Sequence, residues 1–93
     1  MIRDLENRVE ISGPITMQVA ADVFEEARAA LSPTTTVVDL AAVTDVDSAG
    51  LAVMFALVRE ARLLGTSLQF DNLPINLLNL AVVYDVVEFL PKH

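Results

Sequence analysis

Val46-Asp47-Ser48-Ala49-Gly50-Leu51 joins a short β-branched run, Thr36-Val37-Val38-Asp39-Leu40, to a long segment, Ala49 to Leu64, in which Gly50 is the only Gly or Pro. The apolar run predicts a buried strand over about residues 35–40, and the segment after it predicts a helix over about 49–64 that Gly65 ends. A strand feeding straight into a helix is the repeating step of an α/β fold. The junction places a hydroxyl, Ser48, where an N-cap is expected, able to accept from the backbone N–H of Gly50 or Leu51. Ala49 and Gly50 leave the first turn sterically bare, so a partner can approach that hydroxyl closely.

Working outward, residues 2–12 read as one or two strands ending at a Gly13-Pro14 turn. Thr16 is positioned to cap a helix whose apolar face takes Met17, Ala20, Ala21, Phe24, Ala27 and Leu31, and Ser32-Pro33 stops it. Downstream, Ser67 to Asp71 alternates as a strand, and Leu73-Pro74 opens a third helix with Pro near its first position. That helix is expected to turn Ile75, Leu77, Leu78 and Ala81 inward and Asn76 and Asn79 outward. Val86 to Leu90 reads as a last short strand. The order predicts one α/β domain over residues 1–93, with helices packed across the connections of a small sheet.

The second helix has two distinct sides. At 100° per residue, Val53, Met54, Leu57, Val58, Ala61 and Leu64 gather on one side and are expected to face the sheet. Ser48, Ala52, Phe55, Arg59 and Arg62 line the other. Two readings of this second stripe stand. It is a solvated face with Phe55 tucked against a neighbour, or a protein-docking face whose aromatic and Arg residues are of the types enriched at interface hot spots.

Composition narrows the function classes. The chain is 54% hydrophobic with 20% charged residues, and the apolar share comes from Ala, Val and Leu, an excess that suggests apolar surface left for a partner. Thirteen acids against six bases give a net charge of −7, which repels nucleic acid and anionic lipid. No run approaches the roughly 18–20 apolar residues of a membrane span, and Met1-Ile2-Arg3-Asp4 does not open a signal peptide; a soluble, untargeted chain without direct membrane insertion is expected.

Catalytic chemistry finds little support. There is no Cys, and the one His is His93. No base is placed to activate Ser48, no phosphate-cradling Gly-rich motif is present, and no nucleotide or other cofactor is expected. Asp39, Asp45 and Asp47, all assigned to the same strand-to-helix region, read more simply as favouring the positive end of the helix than as a metal site. A phosphate on Ser48 would add about −1.5 to −2 charges beside Asp45 and Asp47, which makes the position suited to an interface switch.

Asp47-Ser48-Ala49-Gly50-Leu51, with Val37-Val38-Asp39-Leu40 before it and Ile11-Ser12-Gly13 near the start, resembles the STAS domain family of small bacterial regulators across nearly the whole chain. The resemblance implies a small mixed β-sheet with packed helices and a non-catalytic protein acting through protein contacts. In the antagonist branch the position of Ser48 is the phosphorylatable residue; the next position, commonly Ser or Gly in the family, is Ala49 here. Leu77 to Val86, Leu90-Pro91 and Gly13-Pro14-Ile15-Thr16 are similar to the MlaB branch, the STAS subunits of phospholipid-transport ABC complexes that maintain outer-membrane lipid asymmetry. That similarity implies a cytoplasmic subunit, peripheral to an inner-membrane transporter, that binds its ATPase through a surface containing Asp47, Ser48, Ala49, Gly50, Ala52, Phe55 and Arg59. The alternative it leaves is an anti-sigma factor antagonist that binds an anti-sigma factor kinase and is regulated by phosphorylation of Ser48.

Overall fold

The computed structural model describes residues 2–91; Met1, Lys92 and the sole imidazole, His93, lie outside the described residues. Strands β1 (Ile2–Leu5), β2 (Arg8–Ile15), β3 (Val37–Val46) and β4 (Gln69–Asp71) form one sheet in the order β1-β2-β3-β4. The β1–β2 pair is antiparallel, and β2–β3 and β3–β4 are parallel. The sheet is therefore mixed. Helices α1 (Ala20–Ala30) and α2 (Ser48–Leu63) make the two crossovers between the parallel strands, and α3 (Ile75–Val83) packs against α2.

Alternation along the strands separates two faces. Val9, Ile11, Val38, Leu40 and Phe70 are buried and form the helix-facing side of the sheet. Against them α2 sets Leu51, Val53, Met54, Leu57 and Ala61, and α1 sets Val23 and Ala27. Burying each of the larger side chains contributes about 1.5–3 kcal/mol. The expected core face of α2 holds for Val53, Met54, Leu57 and Ala61, with Val58 half-buried; Leu64 instead lies beyond the last helical residue and is exposed.

Several boundaries differ from the sequence reading, each for a local reason. Gly13-Pro14 does not end β2, because a register irregularity absorbs the positive φ of Gly13, and the strand runs on to Ile15. This lengthens β3, its partner, to Val46. The chain from Thr16 to Val19 forms a turn closed by the Val19 N–H donating to the Thr16 carbonyl (3.0 Å), so α1 starts at Ala20 with no side-chain cap and leaves Met17 exposed. Pro74 is the N-cap of α3 and precedes its first helical residue. Ile75 is exposed, whereas Leu77 and Ala81 are buried.

The expected last strand is a 3₁₀ turn, Val87–Phe89. Asp85, in the left-handed conformation (φ 58°), ends α3, and the Val86 N–H reaches back to the Ala81 carbonyl (2.8 Å). The chain then meets β4 through a backbone bond from the Phe70 N–H to the Pro91 carbonyl (2.8 Å), while Leu90 is buried.

Candidate functional site

Asp47 caps α2, and Ser48 is its first helical residue. The Asp47 backbone is extended, and its Oδ1 accepts from the N–H groups of Ala49 (2.9 Å) and Gly50 (3.4 Å). A carboxylate at this position satisfies the open helix donors and also complements the positive end of the helix, which corrects the expectation that Ser48 is the cap. Ser48 is thereby released: its side chain is exposed and makes no hydrogen bond with the described residues.

The other oxygen of Asp47 reaches further. Its Oδ2 accepts from the Met17 N–H (3.0 Å), tying the β2–α1 loop to the start of α2. The Met17 bond, followed by those from Ala49 and Gly50, holds the Asp47 carboxyl below the ordinary carboxylate value against the opposing effect of its partial desolvation.

Gly50 sits where the first turn of α2 meets the ends of β2 and β3. A Cβ there would collide with a Val46 methyl and lie 2.7 Å from the Ile15 carbonyl oxygen. Gly50 is buried, and its part in the fold is to let α2 seat on the sheet. Ala49 is half-buried and Ala52 exposed; both border a smooth apolar hollow shared with Ala20, Ala21 and Phe24 of α1. Phe55 is half-buried against the core, whereas Arg59 and Arg62 are exposed.

Ser48 opens onto a shallow cleft of about 530 Å³. One wall is Val46, Asp47 and Ser48; the other is α3, through Asn76, Asn79, Leu80, Val83 and Tyr84. The sequence reading missed these α3 residues. Its signal was there in part, since Asn76 and Asn79 were expected to face outward, but nothing in their spacing shows that α3 comes to lie beside Ser48.

Of the three aspartates expected in one region, Asp45 and Asp47 stand at the end of β3 and Asp39 is set apart from them. Asp39 stands near the start of β3, where its Oδ2 accepts from Arg8 (3.0 Å) and its Oδ1 from Asn72 Nδ2 and the Ala41 N–H, both 2.9 Å. Arg8 also donates to Asp71 Oδ2 (2.8 Å), which links β2, β3 and β4 on the face away from the helices. Desolvation raises the Asp39 pKa, but the bonds from Asn72, Ala41 and Arg8 outweigh it and leave the group below its ordinary value. Among the described residues no group of His, Cys, Asp and Glu is arranged to hold a metal ion. No helix among them is long and apolar enough to cross a membrane.

No curated protein sequence matches this chain significantly. Among solved structures, a Thermotoga maritima protein described as a "putative anti-sigma factor antagonist" superposes with a TM-score of 0.75 at 9% identity, covering 99% of this chain and 83% of that one. The anti-sigma factor antagonist SpoIIAA in its unphosphorylated form superposes with a TM-score of 0.70, also at 9% identity, covering 100% of this chain and 86% of that one. At such identity the likeness is one of fold. A family model described as "Mlab, STAS domain" matches residues 2–91, the whole of the sheet and helices set out above. By that match the chain belongs to the STAS domain family, of the MlaB type.

Proposed function

We propose that this STAS domain is a non-catalytic docking subunit that binds the ATPase of a phospholipid-transport ABC complex at the cytoplasmic side of the inner membrane and supports its assembly or turnover. The observation that carries the reading is Ser48, an exposed hydroxyl freed from capping duty at the mouth of a cleft whose far wall is apolar and amide-bearing. Such a surface offers shape, apolar area and a few hydrogen bonds, the components of a protein interface. The MlaB type of the family match favours a transporter ATPase as the partner. The test is to purify that ATPase with and without this chain. Co-purification and a raised rate of ATP hydrolysis support the reading, and an ATPase that neither binds the chain nor changes its rate removes it.

A second reading rests on the same hydroxyl together with the antagonist fold: Ser48 is phosphorylated by an anti-sigma factor kinase and released from it as a consequence. A kinase-dependent mass increase that Ser48→Ala abolishes would favour this second partner over the first.

A further inference from the structure

From Leu73 to Tyr84 the chain carries no charged residue, although one residue in five is charged overall. Helix α3 fills its place in the core with Leu77 and Ala81, both fully buried. Leu78 and Leu80 are half-buried, but three further apolar side chains of the helix and that of its C-cap have no such place: Ile75 is 68% exposed, Val82 62%, Val83 76% and Tyr84 55%. Single exposed apolar residues are ordinary, but Ile75, Val82 and Val83 fall within about 100° of one another on one nine-residue helix, a patch of the kind that marks an interaction surface. Val83 and Tyr84 also line the Ser48 cleft, so patch and cleft are continuous.

The charges next to this patch in the chain are acidic. Asp45 directly precedes the cleft wall, Asp85 directly follows Tyr84, and Glu88 lies in the next turn; all three are exposed. No Lys or Arg lines the cleft, and from Ala29 to Pro91 the only cations are Arg59 and Arg62 of α2, of which Arg62 shares a separate hollow with Glu88. A second copy of the chain would bring the same acids face to face, and an anionic membrane would be repelled by them.

We infer that the uncharged outer face of α3, joined to Ser48 through the shared cleft, carries most of the docking affinity and fits a protein surface whose apolar centre is edged by Lys or Arg. The inference rests on the docking reading above but moves its centre from the Phe55–Arg59 stripe of α2, where the aromatic side chain is already half-buried, to α3. It also assigns the acids a selective role: they hasten encounter with a basic-edged partner and reject an acidic one.

The test measures binding of the transporter ATPase to the wild type and to Val83→Glu, Tyr84→Ala, Phe55→Ala and the charge reversals Asp45→Lys and Glu88→Lys, with melting temperatures taken on the same samples. Val83→Glu is expected to weaken binding by about tenfold or more and Tyr84→Ala by a similar factor, both exceeding Phe55→Ala, with unchanged melting. The charge reversals are expected to weaken binding about threefold each at low salt, a difference that closes near 0.5 M salt. Wild-type binding by Val83→Glu and Tyr84→Ala overturns the inference. So does a wild-type dimer that Val83→Glu dissolves in sedimentation, or adsorption of the wild type to phosphatidylglycerol vesicles. If the ATPase does not bind the wild type, the transporter reading falls, and the inference is decided by a synthetic amphipathic helix with a leucine stripe flanked by Lys, and its Glu-flanked twin. Amide shifts at Asn76, Asn79 and Val83 with the Lys helix alone uphold it; equal response to both helices, or none, overturns it.

Discussion

The two ends of β3 each hold a carboxylate that accepts three hydrogen bonds, yet they do opposite things. At the Asp39 end the partners come from Arg8 on β2, Asn72 just beyond β4 and the strand's own Ala41, so the polar groups satisfy one another across the sheet. At the Asp47 end the partners are backbone N–H groups of Met17, Ala49 and Gly50, and everything beyond them faces outward: a free hydroxyl, two amides and exposed apolar side chains. Closure at one end fixes architecture. The same number of bonds at the other end prepares a surface, because they are spent on holding backbone and leave the neighbouring side chains unoccupied.

The largest effect expected at either end is Gly50→Val. The branched side chain would strike Val46 and the Ile15 carbonyl, and overpacking against backbone should cost about 3 kcal/mol, a large part of a stability of roughly 5–15 kcal/mol. Denaturant melts check it; a midpoint equal to the parent's would mean that α2 does not seat on the sheet as described.

Next is Ser48→Asp. Because Asp47 supplies the cap, Ser48→Ala should change stability by no more than about 0.5 kcal/mol, and Ser48→Asp should also fold normally at a helix N-terminus. The new carboxylate stands beside Asp47 in the cleft wall, so partner binding should fall by about tenfold or more while Ser48→Ala stays close to the parent. Binding measured by calorimetry decides this, and undiminished affinity in Ser48→Asp would place the interface elsewhere.

Arg8→Met probes the closed end. It leaves Asp39 and Asp71 on adjacent strands without their shared cation, which should lower the melting temperature at pH 7 by several degrees and leave binding at the Ser48 end unchanged. The Arg8 contact is among those that hold the Asp39 carboxyl below its ordinary value, a contribution present above the ordinary carboxylate range and lost as pH falls through the lower folded-state value. The deficit should therefore narrow as pH falls below about 4. A deficit independent of pH would assign the loss to packing of the Arg stem rather than to charge.

Much of this division was legible in the sequence, and the part that was not has a physical reason. The strand-helix-strand order and the buried side of α2 follow from periodicity, which is a local property: Val53, Met54, Leu57 and Ala61 recur at helical spacing and are buried. The cap was misplaced by one residue because Asp and Ser are both good caps and stand side by side; the backbone, extended at Asp47, selects between them. Asp39 and Asp47 looked like neighbours because β3 was read as ending at Leu40, whereas pairing with β2 carries it to Val46 and sets the two carboxylates at opposite ends. The α3 wall of the cleft depends on how one helix lies against another, and no window along the chain contains that information.

The smallest expected effect separates the two duties of Asp47. Asn caps helices about as well as Asp, so in Asp47→Asn the side-chain oxygen can still accept from Ala49 and Gly50. The amide nitrogen that replaces Oδ2 cannot accept from the Met17 N–H, so the tether to the β2–α1 loop is lost while the cap remains. Melting at neutral pH should drop by only a few degrees, and amide exchange should quicken at Met17 while the first turn of α2 stays protected. The pH dependence follows from the lowered pKa of Asp47. Its stabilising contribution is complete above the ordinary carboxylate value near about 4 and is lost as pH falls from there through the lower folded-state value, so the parent should lose more stability than Asp47→Asn over that window. Parallel acid titrations of the two proteins check the sign. Equal acid losses together with slow exchange at Met17 in the variant would show that Asp47 acts as a helix cap alone.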